Sequence, residues 1–195
     1  MIIFEKQVRQ FQIEIYNDQP KFDFYQLNQV HGDIVLETKD YSNVELPDGD
    51  GIILNLGESL PIAIRTADCL PIFLIGESEA AVLHAGWKGL AKGIISNQKV
   101  QAIGPVQAFI GPCIHAEDYE VGADFTQNFP NSDAFSHTED RITFNLLEEA
   151  AKQIQDCYNI APDTSLAENT YTHPQLNSWR KNKTDKRNYN ILKFI

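Results

Sequence analysis

From residue 11 the chain alternates, FQIEIY, with Phe11, Ile13 and Ile15 on one side and polar residues between them, the pattern of a half-buried strand. Short apolar runs follow at 33–36, 51–54, 60–65, 70–75, 80–84 and 106–110, each punctuated by Gly, Pro or Asp, and predict further strands. Helical spacing replaces this pattern in two places. Trp87, Leu90, Ile94 and Ile95 predict a helix opening near Trp87. Leu146, Leu147, Ala150, Ala151 and Ile154 predict another behind Asn145, which with Glu148 resembles a capping box. A shorter helix is expected across 121–129, and Thr172 ahead of His173-Pro174 is expected to cap one at 174–182. The strands lie too close together for regular βαβ alternation. The class is therefore α/β in the α+β sense, a single domain of mixed or antiparallel β-sheets flanked by helices.

Composition narrows the function classes. A chain of 195 residues with 43% hydrophobic content can bury one sizeable core. Its 16 basic and 27 acidic residues leave a net charge of −11, which repels phosphate backbones and anionic lipid at long range and argues against a nucleic-acid partner. A small anionic substrate stays possible, because a local group of cations can oppose that field within a Debye length of about 10 Å. The opening residues MIIFEKQVRQ lack a secretory pattern, and the longest apolar run, LPIFLIG at 70–76, is too short to cross a bilayer. Three cysteines, Cys69, Cys113 and Cys157, have no framework spacing. Free thiols or metal ligation are expected, in a cytoplasmic protein.

The candidate chemistry sits where apolar runs end. LPIAIR delivers Thr66-Ala67-Asp68-Cys69 into a tight connection, AAVL delivers His84 into Ala85-Gly86, and LNQV delivers His31-Gly32-Asp33. If these ends converge, one thiolate and two imidazoles form a donor set suited to zinc, with the fourth position open as in catalytic zinc sites. Asp68 is then the candidate for orienting a ligand imidazole or carrying a proton to a leaving group. The same residues also permit a metal-free pair, Cys69 as nucleophile and His84 as base, with Asp68 or another polar group as orienter. Trp87, Tyr119 and Trp179 read as core anchors rather than stacking platforms. Cys113 and Cys157 read as buried thiols, and His115, His137 and His173 as surface residues.

The strings QVHG (29–32), DGDGIIL (48–54), TADCLP (66–71), HAGWKG (84–89), IGPCI (110–114) and YEVG (119–122) occur here in order. In this the chain resembles the multicopper polyphenol oxidoreductase, or laccase-domain, family, most strongly across 28–122. The resemblance implies mixed sheets flanked by helices, similar to a cysteine hydrolase-like toxin domain. It implies zinc on His31, Cys69 and His84, and phosphorolysis of adenosine, inosine, guanosine or methylthioadenosine together with adenosine deamination. Asp68 and Cys69 would carry the catalysis. Phosphate needs cations, and Arg65, Lys88, Arg180 and Arg187 are the candidates.

Departures from the family pattern are also present. Only thirty residues precede His31, a shortened N-terminal segment within a domain spanning 1–195. Asn169-Thr170 stands where the family has Cys-Thr, and Asp185-Lys186-Arg187 stands at its Thr-Gly-Arg step. Three other functions remain open. A copper-dependent polyphenol oxidase is one, although copper suits five histidines poorly if several ions are needed. The others are an editing factor for peptidoglycan precursors and the metal-free Cys69/His84 hydrolase.

Overall fold

The computed structural model describes residues 1–41 and 46–195. Among these the order is β1 (Ile2–Val8), β2 (Phe11–Tyr16), β3 (Val35–Glu37), β4 (Gly51–Leu54), β5 (Ile62–Thr66), β6 (Leu70–Ile75), β7 (Ala80–Ala85), α1 (Trp87–Ala91), α2 (Gln98–Ala102), β8 (Gln107–Ile110), β9 (Glu120–Val121), β10 (Phe135–His137), β11 (Ile142–Phe144), α3 (Leu146–Tyr158), α4 (Trp179–Asn182) and β12 (Asn188–Phe194). They form an antiparallel sheet β1-β2-β12-β5, a mixed sheet β3-β4-β7-β6-β8 and a small antiparallel sheet β10-β11-β9. Mixed sheets with few helices in one domain match the class read from the sequence. No helix among the described residues is long and apolar enough to cross a membrane.

The five-stranded sheet is the middle layer. Leu70, Ile72, Leu74, Ala81 and Leu83 point to one side, where Leu90, Ile94, Leu146, Ala150 and Ile154 complete a core. Phe73, Ile75, Ala80 and Val82 point to the other, against Phe11, Ile13, Ile15, Ile62, Ile64 and Leu192 of the four-stranded sheet. Burial on both faces explains why LPIFLI and AAVLHA read as continuous apolar runs while FQIEIY alternates. Each fully buried Leu, Ile or Phe here stabilises the fold by about 1.5–3 kcal/mol.

Several expected boundaries move. The strand expected at 33–36 forms at Val35–Glu37. The helix opening at Trp87 ends at Ala91, and Gly93 takes φ +81°, so Ile94 and Ile95 reach the core from a turn. The segment 121–129 holds a 3-10 helix over Ala123–Asn128, and the expected 174–182 helix is only Trp179–Asn182, capped by Ser178 rather than Thr172. Half of the expected capping box of α3 forms: Asn145 Oδ1 accepts from Glu148 N at 3.2 Å, while Glu148 Oε2 accepts from the Asn145 side-chain Nδ2 at 3.1 Å and the Asn145 backbone N–H donates to the Ala134 carbonyl instead. Cys157 is exposed on α3 instead of packing into the core: it lies on the helical face of Ala150 and Ile154, but in the last turn, beyond the buried part of that face.

Candidate metal centre

Register brings the site together. In the β4–β7 pair Gly51 faces Leu83, so Asp50 stands opposite His84, and in the β6–β7 pair Leu70 faces Ala85, so Cys69 stands opposite Gly86. His31 arrives from the loop ahead of β3 in a left-handed conformation, φ +58°. Donor atoms of His31, Cys69 and His84 consequently lie within 4.8 Å of one another, and the two imidazole rings stand 4.7 Å apart, edge to face. Three residues spread over more than fifty positions of sequence thus meet at the end of one sheet.

Asp50 holds this group in place. Its fully buried carboxylate takes His84 Nδ1 at 2.7 Å, His31 N at 2.9 Å and Gly32 N at 2.7 Å. One acceptor therefore fixes the ring of one histidine and the left-handed backbone of the other. With Nδ1 engaged, the second nitrogen of His84 is left for the cluster. The sequence reading made Asp68 the candidate for orienting a ligand imidazole or for carrying a proton; the carboxylate bonded to His84 is that of Asp50. The sequence signal for Asp50 is the DGDG string, whose second aspartate immediately precedes β4.

Charge follows from these contacts. Burial opposes ionisation of Cys69, but the charge on His84 and hydrogen bonds from both histidines outweigh it and bring the thiol down to about 6. His84 is also desolvated, yet Cys69 and Asp50 hold it up to about 9. Burial pushes the Asp50 carboxyl up, and hydrogen bonds from His84, Gly32 and His31 more than reverse this. Both shifts favour the thiolate and the imidazolium forms of the pair. Thiolate is the ligand form, and ligation by His84 requires release of its ring proton.

The residues present fit a metal ion. A thiolate with two imidazoles is a zinc-compatible donor set, and position 86 leaves room beside it. A Cβ on Gly86 would lie 2.9 Å from Cys69 Sγ and 3.5 Å from His31 Cδ2. Gly86 itself has φ −75° and ψ 171°, open to any residue. Space between thiol and ring, not backbone freedom, is what requires glycine there.

A cavity of about 650 Å³ opens over the cluster, lined by all three donors and by Asp68, Arg65, Arg180 and Arg187. Asp68 has φ +93°, a strained conformation for a side chain of this type. Its carboxylate accepts from Thr170 Oγ1 at 2.7 Å and from Arg180 N at 2.6 Å. Thr170, retained from the family's Cys-Thr step, is therefore a support for Asp68. Arg180 donates to the Glu120 carbonyl and lies 5.1 Å over the Tyr119 ring. Lys88 is not at the cavity; it is exposed with Nζ 5.6 Å from the Trp87 ring. Trp87, Tyr119 and Trp179 line the cavity, so the reading of all three as core anchors was too narrow. Cys113 is fully buried away from it, its thiol pushed up by burial. His115 bonds the Ala167 carbonyl through Nε2 and His173 packs on Phe4, both half-buried, while His137 is exposed.

The family model for multi-copper polyphenol oxidoreductase laccases matches residues 6–192. A purine nucleoside phosphorylase of Aquifex aeolicus is 32% identical over 163 residues, 82% of this chain and 77% of that protein. One from Rickettsia conorii is 32% identical over 166 residues, 78% of this chain and 68% of that protein. A crystal structure from Neisseria meningitidis aligns over 88% of this chain and 74% of its own, with TM-score 0.76 and 25% identity. YlmD from Geobacillus stearothermophilus aligns over 87% and 73%, with TM-score 0.75 and 22% identity, a likeness of fold.

Proposed function

Because this chain belongs to the multi-copper polyphenol oxidoreductase laccase family, we propose that it is a cytoplasmic, zinc-dependent purine nucleoside phosphorylase that also deaminates adenosine. The observation that carries the reading is the meeting of His31, Cys69 and His84 on the floor of a cavity walled by Asp68, arginines and aromatic rings. The relatives named purine nucleoside phosphorylase support the substrate class. Adenosine, inosine, guanosine and methylthioadenosine are the candidate nucleosides.

His31, Cys69 and His84 would hold the zinc, which supplies a Lewis acid and a water of lowered pKa. The rest falls to the chain. Trp87, Tyr119 and Trp179 offer faces for the purine, and the arginines hold phosphate. In phosphorolysis a phosphate oxygen bonds to ribose C1′ while the C1′–N9 bond breaks, its electron pair leaving on the purine, which takes up a proton. Asp68, whose carboxylate accepts from Thr170 Oγ1 and Arg180 N, would hold or pass that proton. In deamination water oxygen bonds to C6 and the amine leaves as ammonia, again with a proton delivered to the leaving nitrogen.

Copper fits less well. Among the described residues His115, His137 and His173 stand outside the one three-donor group, so a cluster of several coppers lacks ligands. A metal-free hydrolase is the second reading, favoured by the Cys69–His84–Asp50 sequence of contacts. It differs by resisting chelators and yielding to alkylation.

The test is purified protein given adenosine and phosphate, with and without chelator, beside Cys69→Ala. Adenine and inosine release, lost on chelation and in the variant together with zinc, is the expected result. A metal-free, fully active Cys69→Ala protein overturns both the zinc reading and the nucleophile reading.

A further inference from the structure

β5 is the outer strand of its sheet, with β12 on one side, and the backbone groups on its other side need partners. Tyr25 supplies the first: its amide donates to the Pro61 carbonyl and its carbonyl accepts from Ala63 N, both at 2.8 Å. At Arg65 a side chain takes over. Gln29 Nε2 donates to the Arg65 carbonyl and Gln29 Oε1 accepts from Arg65 N, both at 2.8 Å. One primary amide thereby pairs both backbone groups of a residue, as a neighbouring strand would. Arg65 adds a bond from a terminal nitrogen to the Leu27 carbonyl at 3.1 Å.

The backbone around Gln29 is tied elsewhere, to the approach to β4. Asn28 N donates to the Pro47 carbonyl at 3.0 Å, and Gly49 N donates to the Asn28 carbonyl at 3.1 Å. Val30, His31 and Gly32 donate their amides to Asp50, which also holds His84. Residues 28–32 therefore form one unit with Asp50 and both histidines. Cys69 reaches the site from β5, four residues beyond Arg65, and His31 stands two residues beyond Gln29. The Gln29–Arg65 pair closes a short ring between thiol and imidazole. His84 is oriented through its own ring by Asp50, whereas the bond that Asp50 gives His31 falls on its backbone. The place of the His31 ring is thus set by how its loop is fastened. Gln29 lines the cavity, but its amide has already committed a donor and an acceptor to Arg65.

We propose that Gln29 is a positioning residue for the donor group: its amide locks the His31 loop to β5 and so sets where His31 stands relative to Cys69. The effect on metal affinity rests on the zinc reading of His31, Cys69 and His84; the effect on their geometry does not.

Q29L removes both bonds and keeps most of the side-chain volume. Q29M does the same without branching, and keeps the test open if Q29L does not fold. N55A is the structural control, since the Asn55 amide binds Glu37 and Glu79 at the opposite end of β4 from Asp50. Competition with a chromophoric chelator is expected to show zinc affinity reduced about tenfold in Q29L, the lower end of the range for groups that orient a metal ligand, and unchanged in N55A. In the metal-free proteins, amide hydrogen exchange at Arg65 is expected to speed up in Q29L and not in N55A. The nuclear Overhauser contact between the His31 ring and the Cys69 Cβ protons, on residues whose donor atoms lie within 4.8 Å, is expected to weaken in the same variant. Wild-type zinc affinity in folded Q29L or Q29M overturns the proposal, as does an equal loss in N55A. A wild type that takes up no zinc overturns the zinc reading, and the His31–Cys69 contact then decides alone: weakened in Q29L it supports the positioning role, unchanged it overturns it.

Discussion

Asp50 Oδ1 lies 2.7 Å from His84 Nδ1, on a carboxylate without solvent exposure that also holds the backbone of His31. Both oxygens act only as acceptors. An amide in the same place would turn a donor toward either the imidazole or the His31-Gly32 backbone.

Asp50→Asn is therefore expected to weaken metal binding by about 10–100-fold, the range for losing a partner that orients a ligating histidine. Competition with a chromophoric chelator measures it directly. Wild-type affinity in the variant would show that Asp50 does not set the donors.

Gly86→Ala tests the space beside the thiol. Backbone angles at 86 suit alanine, so the folded state should survive with a small change in Tm, while a methyl 2.9 Å from Cys69 Sγ obstructs the donor group. Zinc per chain by elemental analysis should fall well below that of the wild type. Full zinc occupancy in a folded variant would contradict the proposed place of the ion.

Thr170→Val removes the hydroxyl that bonds Asp68 while keeping the volume. Thr170 is fully buried, and leaving a carboxylate oxygen short of a donor costs about 1–3 kcal/mol. Denaturant unfolding should register that loss, and kcat should fall more than zinc content. Unchanged kcat would remove Asp68 orientation from the mechanism.

The Lys6–Asp163 pair, 2.6 Å apart, ties β1 to the segment that leads toward Thr170. Hydrogen bonds from Lys6 and Ser165 bring the Asp163 carboxyl down to about 2 from an ordinary 3.8. A depressed folded pKa means stabilisation that is present above the unfolded value and lost as pH falls through the folded one. Partial exposure of both partners limits the gain to at most about 1 kcal/mol. Lys6→Met should therefore lower Tm above pH 4, with the difference shrinking toward pH 2. A pH-independent difference would point to lost packing of the Lys6 stem instead.

Much of the fold was legible where burial is simple. Gly51–Leu54 and Leu70–Ile75 formed as read, because strands covered on both faces are continuous apolar runs. β12 was missed although it lies between β2 and β5. Its Asn188 and Asn190 look like loop residues, but both are buried and their amides are paired, Asn190 with the Ile64 carbonyl and Thr66 Oγ1, each at 3.0 Å. β1 was missed because its strand is partly exposed and charged. The site was legible in residue type and motif at His31, Cys69, His84 and Asp68. Arg65, Arg180 and Arg187 were legible as cations and line the cavity, whereas Lys88 does not; the Asp50–His84 contact was not legible, since hydrogen-bond partners across strands leave no local pattern.

Sequence alone determined the layered class, through the contrast between continuous and alternating apolar runs, and it supplied one thiol and two imidazoles at the ends of those runs. Tertiary structure decided which carboxylate faces which histidine, since cross-strand register sets side-chain neighbours that lie far apart along the chain. Opposite pairing put Asp50 against His84 and Gly86 against Cys69. A shift of one residue in either pairing would have turned these side chains to opposite faces and left no site.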